Sequence, residues 1–218
     1  MPKEFKDPSR DEIRECFVRF VFGFGYEKVH LDTAIRKAYG DFSRTLHGIS
    51  RIDASGSLRE DATRFLYAEI TKAASLKNQP DFDKWHEATC KALKARYAKG
   101  GFKDFHLGQA QKWVNMSIKY FTLLSALLGD RADPGSGSLF DFGHVPIDSL
   151  VLQVFSREHD LPGNYRPRDD RWSRIEDYGE YMAFQKWVRR TFPTSKPLAV
   201  EFHLWQVEMS RPKGGSIS

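Results

Sequence analysis

Residues 107–128 read LGQAQKWVNMSIKYFTLLSALL, and this stretch decides the fold. Leu107, Ala110, Trp113, Val114, Met116, Ile118, Tyr120, Phe121, Leu123, Leu124, Ala126, Leu127 and Leu128 are apolar. A helix apolar nearly all round belongs in an interior. It is the longest helical candidate in the chain, running from about residue 106 to 128. Its polar exceptions are ordered. Lys112, Asn115 and Lys119 are spaced i, i+3, i+7 and form one narrow stripe. Such a stripe is expected to face solvent or a cleft. Facing solvent, the two lysines snorkel to water and have no further role. Facing a cleft, a lysine partly removed from water loses stability in its charged form and becomes a nucleophilic amine near neutral pH.

Working outward, the same helical reading extends over nearly the whole chain. Pro8-Ser9-Arg10-Asp11 opens a helix carrying Ile13, Phe17, Phe20 and Val21, which Gly23 and Gly25 end. Helices are expected over 31–42, 58–75, 80–99, 146–159, 177–192 and 197–210. Pro80 and Pro146 are placed at first helical turns, and Gly100-Gly101 at a helix end. Residues 48–57 and the Gly/Ser/Asp/Pro-rich stretch 129–143 read as loops, the latter long enough to suggest a functional segment. No strand pattern and no internal repeat is found. The expectation is an all-α fold: one helical domain over 1–210, with two lobes at about 28–155 and 1–27 plus 156–210, and a flexible tail at 211–218.

Bulk properties exclude several classes. With 218 residues, 40% hydrophobic and 14% aromatic, the chain can bury one sizeable core. The charged fraction of 29% fits a soluble protein, and no apolar run reaches the roughly 20 residues of a membrane span. Residues 1–7 lack the apolar segment of a signal peptide. Cys16 and Cys90 make neither a disulfide framework nor a metal spacing, which sets the expectation of a cytoplasmic protein. The seven histidines form no HxxxH or HExxH pair, so neither a metal site nor a cofactor is expected. A net charge of +5 and a pI near 9.1 are compatible with a polyanionic partner such as nucleic acid.

A second stretch, Gly143-His144-Val145-Pro146-Ile147-Asp148, enters a helix whose apolar face is Leu150, Val151, Val154 and Phe155. Asp148 is expected in the first turn, where its carboxylate accepts free backbone N–H groups and suits the helix dipole. That alone stabilises a helix by about 1 kcal/mol. An anion so fixed near a reacting centre also stabilises a developing cation.

Together, the segment 108–116 with Lys112 and the Val-Pro-Ile-Asp segment 145–148 resemble the helix-hairpin-helix DNA glycosylases. The likeness is to the 8-oxoguanine glycosylase branch and its small archaeal type. It covers roughly 107–155. It implies a compact multi-helix domain with a cleft, DNA carrying oxidised or modified guanine as partner, and DNA glycosylase/AP lyase activity. Lys112 would be the Schiff-base nucleophile and Asp148 the electrostatic and proton-transfer partner. Where the family carries a Leu-Pro-Gly-x-Gly hairpin before the lysine, this chain keeps only Gly108. On this resemblance Gln109, Asn115, His144 and Phe142 are base-binding candidates, beside Phe102, Phe105 and Phe140 as stacking or core residues. Gly108, Lys119, Arg166, Arg168 and Arg171 are DNA-binding candidates, the arginines lying in a mixed-charge segment with Arg174. The competing reading is a non-catalytic helical module that binds nucleic acid or protein. Base excision repair and bacterial antiviral defence are both settings in which such chemistry occurs.

Overall fold

The computed structural model describes residues 30–128, 136–167 and 170–210, with Ser9, Arg10, Ile13, Cys16, Phe17, Arg19 and Phe20. The described helices are α1 (His30–Phe42), α2 (Ile49–Ile52), α3 (Ser57–Ala73), α4 (Gln79–Lys99), α5 (Leu107–Leu128), α6 (Ser136–Phe142), α7 (Ser149–Phe155), α8 (Tyr178–Thr191) and α9 (Pro197–Met209). Single 3-10 turns lie at Ser43–Thr45 and Asp170–Arg174, and no strand occurs among the described residues.

The apolar stretch that opened the sequence is the centre of the molecule. Helix α5 packs most extensively on α1, and also on α4, α6 and the 170–174 turn. Trp113 is fully buried at this junction. Its indole N–H donates to the Ile35 carbonyl of α1 at 3.0 Å, and the rings of Phe42, Tyr39 and Tyr97 surround it. Truncating such a residue costs about 3–5 kcal/mol. The buried apolar side chains form one cluster from Leu31 to Val200.

The turn from α4 into α5 is short and closed. Gly101, at φ 94°, occupies the left-handed position past the end of α4. The Phe102 N–H reaches the Tyr97 carbonyl at 2.9 Å and the Gly101 N–H reaches that of Ala98 at 3.1 Å, a Schellman ending. Tyr97 then stacks on Phe105 at 4.1 Å, so the two long helices leave this corner at a fixed angle.

Three expectations are corrected. The loop at 48–57 contains the single turn α2, and the loop at 129–143 contains α6. Helix α6 forms despite its glycine and serines because Leu139 is buried and the helix packs on α5 and α9. Residues 129–135 lie outside the described residues. The helix expected from Pro146 to 159 runs only over Ser149–Phe155, because the chain through Pro146 is held extended by side chains described below. In the N-terminal segment the described residues from Arg10 to Phe20 are helical, with Ile13, Phe17 and Phe20 exposed; Val21, Gly23 and Gly25, like the tail 211–218, lie outside the described residues. No described helix is long and apolar enough to cross a membrane.

Candidate functional site

At the N-terminus of α5, the Gln109 carboxamide closes a capping box on His106, whose backbone N–H it accepts at 2.8 Å. Its Nε2 donates to the carbonyl and hydroxyl of Thr45, at 3.1 and 3.0 Å. One turn deeper, Lys112 is 4% exposed, and its ammonium donates to Asp148 Oδ2. Asp148 is the N-cap of α7, one position before the first turn that the sequence predicts. Its backbone is extended (φ −150°, ψ 176°) and its Oδ1 accepts the Val151 N–H at 2.7 Å. One carboxylate oxygen caps a helix while the other holds the amine.

The chain leading into Asp148 is aimed by two glutamines. Gln185 of α8 accepts the Val145 N–H at 3.0 Å and donates to the Val145 carbonyl at 2.9 Å. Gln111 of α5 does the same to Ile147, at 3.1 and 2.8 Å. Val145 and Ile147 are the alternate residues of an extended segment, so the two carboxamides replace a neighbouring strand. Pro146, between them, has no N–H to satisfy.

Behind this clamp lies a continuous buried polar chain. The Asn115 carboxamide donates to Gln111 Oε1 at 3.1 Å and to the Tyr181 hydroxyl at 2.9 Å, which leaves its Oδ1 to accept from His86 Nε2 at 2.9 Å. His86 Nδ1 then accepts from the Tyr178 hydroxyl at 2.8 Å. His144 accepts from Tyr181 at Nδ1 and donates from Nε2 to Asp83, both at 2.8 Å, and Arg189 holds Asp83 with two further bonds. Both histidines are therefore neutral. Burial pushes His86 well below its ordinary value, and the charge of Asp83 does not reverse that; burial likewise lowers His144. For Asp83, burial raises the carboxyl, but the bonds from His144, Arg189 and Gln79 outweigh it and hold it well below the carboxylate range.

Two turns beyond Lys112, the Lys119 ammonium donates to Glu201 Oε1 of α9 at 2.7 Å, with 9% and 3% of the two side chains exposed. The rings of Phe202 and Trp205 lie 5.1 and 5.5 Å from the ammonium. Among the described residues, the second carboxylate oxygen, Glu201 Oε2, is buried without a hydrogen-bond partner. Tyr120 lies near the carboxylates of both pairs. Burial raises its phenol, as do the nearby carboxylates of Asp41, Glu201 and Asp148. The two lysine–carboxylate pairs thus share one seam between α5, α7 and α9.

A cleft of about 710 Å³ lies near the Lys112–Asp148 pair, neither member of which lines it. Gln109, one turn before Lys112, and Ser149, next after Asp148, both line it. Arg44, Thr45 and His47 come from one side, and Arg171, Trp172 and Arg174 from the 3-10 turn.

The structure brings Lys112 and Asp148 together, with Gln109 and Arg171 at the adjoining cleft. Several other candidates it places elsewhere. Asn115 and His144 are fully buried in the polar chain, with no surface to offer a base. Lys119 points inward to Glu201, because the polar stripe faces neither solvent nor an open cleft but the polar layer between helices. Gly108 touches the backbone of Trp172, not an open surface. The Phe142 ring lies 6.5 Å from that of Phe82, and its carbonyl accepts from Gln79. Phe102 and Phe105 are core residues, and Phe140 packs 6.1 Å from Phe202. Arg166 is exposed, donating to the Tyr165 carbonyl at 2.8 Å, and Arg168 lies outside the described residues.

Sequence reasoning misses Gln111, Gln185, Glu201, Trp205 and Arg44, and it places Arg174 among the arginines that could grip phosphate. Glu201 carried a signal: a carboxylate between Val200 and Phe202 on an apolar helix implies a buried cation. Gln111 and Gln185 carried none, since a glutamine's backbone partners depend on tertiary contact. Among the described residues no group of three or more His, Cys, Asp or Glu is placed to hold a metal ion. Compared with known proteins, the chain matches no family model, no curated protein and no solved structure.

Proposed function

We propose that the protein is a DNA glycosylase with AP lyase activity, using Lys112 as nucleophile on DNA carrying an oxidised or otherwise modified guanine. The observation that carries this reading is the shielded Lys112 amine held on the Asp148 carboxylate at a helix N-cap, beside a cationic cleft. The target nucleotide is extruded from the stack, as chemistry on a base in a duplex requires. Lys112 passes a proton to Asp148, and its free amine attacks C1′ of the sugar. The C1′–N bond breaks with its electron pair leaving on the base, which takes that proton from Asp148 and restores its carboxylate. The Asp148 carboxylate stabilises the positive charge that develops on the sugar. Ring opening gives a Schiff base between Nζ and C1′. Loss of a proton from C2′ then expels the 3′ phosphate and nicks the strand.

Borohydride trapping on 8-oxoguanine and abasic duplexes tests the reading. A covalent protein–DNA species is expected with the native chain and not with Lys112→Gln. The same ion pair also suits a non-catalytic helical module, for which no species is trapped on any substrate.

A further inference from the structure

We infer that the cleft beside Lys112 and Asp148 is a phosphodiester-binding groove that holds the substrate strand through Arg44, His47 and Arg174. This rests on the nucleic-acid reading of the same site. It assigns strand binding to parts of the fold outside the segment that joins α4 to α5.

Charge is the first observation. Several cations on the described surface face an acid, as Arg36 meets Asp32 and Glu60, Arg96 meets Asp61, Lys91 meets Glu87, and Lys94 meets Glu176, while exposed Arg51, Lys84 and Lys186 make no ion pair among the described residues. At the cleft Arg44, His47, His106, Arg171 and Arg174 gather around a single acid, Asp104. His106 is turned to Glu176 outside the cleft. Arg44 and Arg174 are exposed and make no ion pair or side-chain hydrogen bond among the described residues. Two arginine forks left open on facing segments suit phosphate oxygens, which they bind in bidentate fashion.

Construction is the second observation. A Cβ on Gly108 would lie 1.8 Å from the Trp172 carbonyl oxygen, so only glycine lets the 170–174 turn rest on the first turn of α5. The Gly108 N–H donates to the Ile175 carbonyl at 3.0 Å and fixes that contact. Arg171 and Arg174 are thereby held at the cleft that Arg44 and His47 also line. Gly108 shapes the groove without touching what occupies it.

Position is the third. Gln109, one turn before Lys112, and Ser149, next after Asp148, bring the groove near both reacting groups, which do not themselves line it. Apart from Trp172 the lining is cationic and polar, so it fits sugar-phosphate. A strand lying there passes the Lys112–Asp148 pair.

The test is the salt dependence of binding, read by fluorescence anisotropy, to an oligonucleotide duplex bearing an uncleavable abasic analogue. Arg44→Gln/Arg174→Gln removes two exposed charges and is expected to melt like the native chain. Its slope of log K against log salt should fall by about 1.8, and its affinity at low salt by about 10-fold or more. Lys72→Gln/Lys91→Gln, with equal charge removed elsewhere, should leave both nearly unchanged. An unchanged slope in Arg44→Gln/Arg174→Gln, or an equal fall in the control pair, overturns the groove. So does displacement of the duplex by inorganic phosphate or a mononucleotide at its own binding strength, which would mark a single-phosphate site. Borohydride trapping separates this from the proposed chemistry. No adduct with a reduced slope sinks the glycosylase and keeps the groove; an adduct with an unchanged slope does the reverse.

Discussion

Gln111 holds both backbone groups of Ile147, donating to its carbonyl at 2.8 Å and accepting its N–H at 3.1 Å. Gln111 is the neighbour of Lys112, and Ile147 the neighbour of Asp148. The amine and the carboxylate are therefore registered against each other by the residues beside them, as two paired strands would be. Gln185 repeats the device at Val145, two residues upstream. The carboxylate is aimed by the helix it caps and by the extended chain that delivers it.

Replacing Gln111 with leucine should strip Ile147 of two buried bonds. The expected loss is about 2–4 kcal/mol, read as a lowered denaturation midpoint. Single-turnover adduct formation should slow about 100-fold, while affinity for DNA stays near native, because misplacement by an ångström affects chemistry more than binding. A loss of affinity as large as the loss of rate would show that Gln111 does not act through Asp148.

The Lys119–Glu201 pair should be costly to break and cheap to remove whole. Lys119→Met leaves a buried carboxylate unpaired and should destabilise by about 3–5 kcal/mol, as should Glu201→Leu from the other side. The double variant should recover most of the loss, measured by chemical denaturation of all four proteins in one cycle.

Stability should fall on mild acidification. His86 and His144 are neutral and buried, with folded values below the ordinary one. The unfolded chain therefore binds protons that the folded chain refuses as pH drops below about 6.5. The stabilisation is complete above that pH and lost below it, at up to about 1.4 kcal/mol per pH unit for each histidine. Asp83, held low, adds a further loss only at stronger acid, below about pH 4. Denaturation midpoints at pH 7.5 and 5.5 measure this, and His86→Gln should flatten the profile.

Gly108→Ala tests the packing that shapes the groove. The added methyl meets the Trp172 carbonyl, so the 170–174 turn must lift off α5. A cost of about 1–3 kcal/mol is expected, with weakened DNA binding. Neutral behaviour in both measurements would mean that the turn is not held where the structure shows it.

The central helix was legible because its apolar residues cover every face, and no environment but an interior suits it. The capping aspartate was legible to within one residue, since Asp, Pro and an apolar run announce a helix entry. The direction of the Lys112–Asn115–Lys119 stripe was not. A polar stripe on an apolar helix reads as a wet face unless the facing residues are known, and these come from α4, α8 and α9: His86, Tyr181 and Glu201. The same holds for α6. Its sequence carries glycine and serine as loops do, and only burial of Leu139 against distant helices overrides them.

The most direct measurement of the central claim is the site of covalent attachment. Native protein is reacted with a duplex bearing 8-oxoguanine, reduced with borohydride, digested, and sequenced by mass spectrometry. The account predicts a deoxyribose-derived mass on the ε-amine of Lys112, greatly diminished in Asp148→Asn. Attachment at another amine, or none on any oxidised or abasic duplex, would contradict it.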